Sequence, residues 1–135
     1  MKIYTTYFAK VKKLPENVIP ISIAAKTPDV KMKEYKKLAP PWYILKTYKD
    51  NGNEEEYVKE YNRVVLNNLN PKKVVEDLAC IAQNKSVVIG DDVINIPCDL
   101  DVALVCYEKS GDFCHRHLVA DWLNKNGFAV EEWDE

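Results

Sequence analysis

A chain of 135 residues with 47% apolar residues and a net charge of −2 is long enough for one domain, taken as 1–135, with a substantial core. So balanced a charge argues against an extended nucleic-acid footprint and against strong attraction to a membrane surface. The amino terminus lacks the apolar core and cleavage site of a signal peptide and nothing reaches a membrane-spanning length, so the expected location is cytoplasmic and the four cysteines are expected to be reduced.

Lys2 to Phe8 is rich in β-branched and aromatic residues and reads as the first strand. Val18 to Ala24 reads as the second, with Pro20 marking an edge or a bulge. From Lys26 to Pro41 the breakers Pro28, Pro40 and Pro41 predict an irregular segment, with Lys26, Lys31, Lys33, Lys36 and Lys37 crowded between them. That run is read as a solvated loop; the sharper alternative is a lid that carries charge over an anionic ligand. Trp42 to Lys49 suits a short helix. Asn53 followed by Glu54, Glu55 and Glu56 is a cap followed by acids that complement the helix dipole, and Tyr57, Tyr61, Val65 and Leu69 then share a face. Asn70 and Pro71 open another helix as cap and first residue, with Val74, Val75, Leu78, Ala79 and Ala82 as its buried stripe. Ser86–Ile89 and Val93–Ile96 around Gly90-Asp91-Asp92 predict a hairpin, inserted at about 86–97.

Asp101 to Cys106 runs through Val102, Ala103, Leu104 and Val105 without a polar interruption, which suits the middle of a parallel sheet. Leu118, Val119, Trp122 and Leu123 recur at helical spacing. Asp112 is placed to cap that helix, which puts Cys114 and His115 in its first turn and Arg116 just after. Gly127 is placed to end it, and a last strand is predicted over Phe128 to Trp133. Strands alternating with helices in this way predict an α/β fold with a mostly parallel sheet.

A strand ending in Cys106-x-Glu108, followed by a helix opening on Cys114-His115-Arg116, resembles the signature of the domain of unknown function 488 family. The likeness extends through Ile3-Tyr4-Thr5, Ile21-Ser22-Ile23 with Thr27-Pro28, Leu38-Ala39-Pro40 and the Tyr57/Tyr61 helix. Two departures stand out. Many members carry an arginine around the second strand and its loop, where this chain has Ala24, Ala25 and Lys26, and a segment from about Val88 to Leu100 is inserted before the signature strand. The resemblance implies a compact, three-layer, Rossmann-like α/β fold and brings no activity with it.

Ligands in open α/β sheets sit beyond the carboxyl ends of the strands, where free N–H groups at helix starts receive anions. Cys114 is the candidate nucleophile or redox thiol there, or else packs as a small buried cysteine. Arg116 is the candidate anion clamp, or is held in a salt bridge to Glu108 or Asp112. Glu108 is the candidate for proton transfer. His115 would activate Cys114 in principle, although successive helical residues point about 100° apart. Cys106 is expected to be buried, and with Tyr107, Tyr4, Thr5 and Ser22 to line the ligand site. Cys80 and Cys98 are read as structural or incidental, and His117 as exposed or locally packed.

A phosphatase-like cradle needs a cysteine and an arginine around one short loop; Cys106 to Arg116 is too long and Cys114 to Arg116 too short. Cys106, Cys114 and His115 offer three metal ligands at a spacing unlike that of structural zinc sites, so no metal and no cofactor is expected. Scattered glycines disfavour a dinucleotide-binding loop. These residues point to a pocket for a small anionic ligand such as a nucleotide or phosphorylated metabolite, with a thiol-dependent enzyme as one reading. The other is a non-catalytic module that senses a ligand or binds a protein partner, with Cys-His-Arg as a brace. A third is a thiol or zinc switch at Cys106 and Cys114. Lys31, Lys33, Lys36 and Lys37 with Tyr35, Trp42 and Tyr43 offer a secondary basic and aromatic face for nucleic acid.

Overall fold

The computed structural model describes residues 1–28, 31–82, 86–95, 100–107 and 113–133, with the strands between 86 and 95 described by their backbone alone. In chain order the strands are β1 (Ile3–Tyr7), β2 (Val18–Ser22), β3 (Lys33–Glu34), β4 (Ser86–Ile89), β5 (Asp92–Asn95), β6 (Asp101–Cys106) and β7 (Val130–Glu132). The helices are α1 (Trp42–Asn51), α2 (Glu54–Val64), α3 (Pro71–Ala82) and α4 (His115–Lys125). Five strands pair in the order β3-β2-β6-β1-β7, every pair parallel, which is the Rossmann-like α/β arrangement expected. β6 is the central strand, and Val102 to Cys106 are all buried, as its uninterrupted apolar run requires.

Alternate residues of a strand face opposite sides of the sheet. Ile3, Ile21, Ile23, Val102, Leu104 and Val130 form one core with the helices, through Ile44, Tyr57, Tyr61, Leu78 and Leu123 among others. The other face presents Val18, Ala103 and Val105 beneath a thin layer made by the 3-10 stretch Phe8–Lys13 and Leu14. The connections from β1 to β2 and from β6 to β7 leave in opposite directions across the sheet, the topology that opens a crevice at the strand ends.

Pro20 lies inside a paired strand without cost. The N–H of Ile23 donates to Val105 O (3.0 Å) and that of Tyr35 to Ser22 O (2.8 Å), so odd residues turn to β6 and even ones outward. Pro20 therefore faces the outer side of β2 below the point where β3 begins pairing, at Ile21, and no donor is missed. That same β3 corrects the irregular reading of 26–41: two residues of the lysine-rich run form the sheet edge, and a 3-10 turn follows at Lys36–Leu38.

The caps of α2 and α3 act as their residue types predict. Asn53 accepts from Glu56 N at 3.1 Å, and Asn70 from Lys72 N at 3.0 Å. α2 ends at Val64, so the face through Val65 and Leu69 outruns the helix; Asn68 Nδ2 donates to Val64 O at 2.8 Å and takes up an end carbonyl. β4 and β5 form the predicted hairpin as a separate antiparallel pair, turning at Gly90 with φ 64°, where glycine suits the first position of a type II′ turn. The expected end of that insert, at 96 and 97, lies outside the described residues. Gly127, with φ 89°, closes α4 in a Schellman motif: Phe128 N donates to Leu123 O (3.0 Å) and Gly127 N to Asn124 O (3.2 Å). The last strand is shorter than the predicted span.

Candidate functional site

α4 starts at His115, later than the sequence suggests. Cys114 is its N-cap residue, extended at φ −154° and ψ 146°, and so precedes the first turn. The expected cap Asp112 and the proton-transfer candidate Glu108 lie outside the described residues. Because Cys114 is extended, the 100° helical offset between neighbours does not separate it from His115, and its Sγ lies 3.8 Å from His115 Nδ1. The other ring nitrogen, Nε2, lies 2.7 Å from Ile23 O. A carbonyl only accepts, so Nε2 carries the proton. Burial holds the imidazole's pKa down at about 4, against the hydrogen bond to Ile23, so the ring is neutral and Nδ1 turns a lone pair toward the sulfurs.

Cys106, the last residue of β6, and Cys114 are 1% and 3% exposed, and their sulfurs form a disulfide. The expectation that all four cysteines stand reduced fails for this pair, because it rested on compartment chemistry and could not foresee a strand end meeting a helix cap. Cys80 is free and exposed, and Cys98 lies outside the described residues.

Arg116 is 0% exposed. Its Nε and Nη2 donate to Glu132 Oε1 (3.1 Å) and Oε2 (2.8 Å), a bidentate pair across α4 and β7. Thr5 Oγ1 donates to the same Oε1 at 2.7 Å, and Arg116 Nη1 donates to Cys106 Sγ at 3.1 Å. Among the described residues the arginine's ion-pair partner is a residue of the final strand, to which nothing local in the sequence points; the expected partners Glu108 and Asp112 lie outside them.

A cavity of about 320 Å³ opens beside the disulfide. Cys106, Cys114 and His115 border it on one side, and Tyr48, Tyr57 and Phe113 form an aromatic wall, with ring centroids 4.9 to 5.5 Å apart. Tyr107, Leu45 and Pro40 add apolar surface, and the exposed Lys26 and Lys49 bring positive charge. The loop at Ala24 and Ala25 completes the wall, pinned by Lys36 Nζ, which donates to both carbonyls at 3.2 and 2.8 Å.

Of the anticipated site residues, Cys106, Tyr107, Cys114 and His115 meet at this cavity. Arg116 lies behind it, held by Glu132. Tyr4 and Ser22 fall on the opposite face of the sheet, where Tyr4 packs in the thin layer and Ser22 Oγ accepts from Thr27 Oγ1 at 2.8 Å. Thr5 is on the helical face but is committed to Glu132. The aromatic wall was missed as a site: Tyr57 was legible as a buried helix position and nothing more. His117 is half-buried, and its Nε2 has no hydrogen-bond partner among the described residues. The basic and aromatic face is interrupted, because Tyr35 is buried and donates to Asp77 (2.6 Å), while Lys33 donates to Ile81 O and Lys36 pairs with Glu34.

No family model, curated protein or solved structure matches the chain. Among the described residues, no helix is long and apolar enough to cross a membrane.

Proposed function

We propose that the chain binds a small anionic ligand with a flat apolar part in this cavity and acts on it as a thiol-dependent enzyme, with Cys106 and Cys114 as the reacting pair. The observation that carries the reading is the placing of two bonded sulfurs on the wall of an aromatic cavity beside Lys26 and Lys49. Starting from the reduced pair, the Cys106 thiolate, against Arg116, attacks one sulfur of a disulfide-bearing ligand and expels the first thiolate. Cys114, expected from the sequence to be the nucleophile, then displaces the ligand's second sulfur and closes the bridge. The protein gives up two electrons and two protons, and the ligand leaves as two thiols. The resemblance to the domain of unknown function 488 family supports a site here, since the loop where many members carry arginine forms one wall, with Lys26 as its cation. A cytoplasmic setting, in which the pair is recycled by cellular thiols, belongs to this proposal.

The test compares two small disulfides, anionic dithiodiglycolate and neutral 2-hydroxyethyl disulfide, as oxidants of the reduced protein. The anionic one is expected to react at least tenfold faster, and Lys26→Ala with Lys49→Ala to erase the preference. Equal rates for the wild type, or no Cys106–Cys114 bridge in the product's peptide map, would overturn it.

A second reading is favoured by the enclosure of Arg116, Glu132 and Thr5. There the Cys-His-Arg block braces α4 to β1, β6 and β7, and the chain is a non-catalytic module that senses a ligand or binds a protein partner. Undiminished ligand binding by a Cys106→Ser, Cys114→Ser protein, with no exchange chemistry in the wild type, would select it.

A further inference from the structure

We infer that the reduced protein holds a zinc ion on Cys106 Sγ, Cys114 Sγ and His115 Nδ1, with the fourth coordination position open to the aromatic cavity. The inference rests on the functional reading only in placing the chemistry at this cavity.

The donor atoms of these three buried residues lie within 4.8 Å of one another. Zinc bound at about 2.3 Å by sulfur and about 2.05 Å by imidazole nitrogen, at tetrahedral angles, sets donors roughly 3.6 Å apart for S···N and roughly 3.8 Å for S···S. Cys114 Sγ and His115 Nδ1 are already 3.8 Å apart. The Cα atoms of Cys106 and Cys114 are 7.5 Å apart. Bridged cysteines usually keep theirs within roughly 4.4 to 6.8 Å, so the backbone leaves room for an ion between two separated sulfurs.

The outer contacts fit as well. A metal-bound imidazole donates its second N–H to a carboxylate or carbonyl, which fixes tautomer and ring orientation, and His115 Nε2 makes that bond to Ile23 O at 2.7 Å. The Arg116 N–H at 3.1 Å from Cys106 Sγ is the donor expected beside a metal-bound thiolate. Charge closes too: two thiolates cancel a divalent ion, a neutral imidazole adds nothing, and Arg116 is balanced by Glu132. Two thiolates and one imidazole are a soft, tetrahedral donor set that suits zinc; among the described residues no fourth ligand joins them, and three protein ligands with an open fourth position are the pattern of reactive rather than purely structural zinc. Anions entering the cavity would meet that position, with Lys26 and Lys49 at hand.

Metal and disulfide are alternative states of the same sulfurs. Oxidation of the zinc-bound pair by a disulfide yields the Cys106–Cys114 bridge, two free thiolates and one released Zn²⁺ ion.

The experiment titrates the reduced full chain with Co²⁺ and then Zn²⁺. One equivalent of Co²⁺ is expected to give the intense visible bands of a tetrahedral site and thiolate-to-cobalt charge transfer, which Zn²⁺ bleaches. Cys106→Ser and Cys114→Ser should each weaken binding at least a hundredfold and His115→Ala at least tenfold, while Cys80→Ser matches the wild type. Because a core variant risks misfolding, the wild type supplies a second readout: one equivalent of Zn²⁺ should shield two thiols from alkylation, identified as Cys106 and Cys114 by peptide mapping. Only the weak bands of six-coordinate cobalt, loss of binding in Cys80→Ser, or unshielded Cys106 and Cys114 would each overturn the site. Metal binding without any preference for the anionic disulfide defeats only the functional reading, and that preference without metal binding defeats only this one.

Discussion

Arg116 meets Glu132 at 2.8 Å and Lys73 meets Asp77 at 3.2 Å, yet the two pairs do different work. Arg116 has no contact with solvent, is bidentate, and hands a third N–H to a sulfur. Asp77 on α3 is as half-buried as Glu132, but its cations Lys73 and Lys37 are exposed, and it also accepts from Tyr35. The Tyr35 hydroxyl holds its carboxyl below the usual aspartate range, with Lys73 and Lys37 helping. Removing Glu132 strands the Arg116 charge in the interior and removing Arg116 leaves a part-buried carboxylate without its cation, while water and salt substitute readily for the exposed lysines of the second pair. Position relative to solvent, and not length, decides which pair holds the fold.

The steepest way to break this contrast is Arg116→Ala. It should cost about 3 to 5 kcal/mol in urea unfolding, because the part-buried Glu132 loses its cation and Cys106 Sγ a donor. Arg116→Met with Glu132→Leu should recover most of that loss, and a double variant no better than the single would show that the charge is not what matters.

His115 gives the next effect, read as unfolding free energy against pH in metal-free protein. Its folded pKa of about 4 lies below the ordinary 6.5, so the unfolded chain binds the extra proton first as the pH drops. Stability is full above pH 6.5 and falls by on the order of 3 kcal/mol toward pH 4, where the loss levels off. His115→Phe should flatten that window, and a wild-type curve already flat there would refute the buried neutral ring.

Tyr61→Phe removes a buried hydroxyl that donates to Leu38 O at 2.6 Å. The stranded carbonyl should cost about 1 to 2 kcal/mol, measured by thermal or urea unfolding. Smallest is Asp77→Asn, expected to cost at most about 1 kcal/mol and to cost less as salt is added. A larger, salt-independent loss there would erase the distinction between the two pairs.

The caps of α2 and α3, the turns and the central strand were legible because each is local chemistry. Asn53 and Asn70 offer an oxygen to the amides that follow, Gly127 supplies a positive φ, and an unbroken apolar run from Val102 to Val105 has only the middle of a sheet to go to. Part of the candidate site was legible for the same reason, since Cys106 and Cys114 flank one strand-to-helix joint. The misplaced lining residues show where that reasoning stops. Ser22 closes β2 at its carboxyl end as expected, but Tyr4 lies near the amino end of β1, level with Ala103, and period-two alternation sends both to the thin face, which is known only once β1 and β2 are registered on β6.

What the chain determines by itself is therefore its set of elements: backbone hydrogen bonding, capping and apolar period act over a few residues and can be read in order. What only the tertiary structure decided is which distant groups share the interior. Glu132 reaches Arg116 over β7, Ile23 receives the proton of His115, and Tyr48 and Tyr57 close a cavity against Phe113. No local preference selects these pairings. They exist because burying one face of a parallel sheet under four helices leaves each polar group near the strand ends to find its partner among whatever the packing brings there.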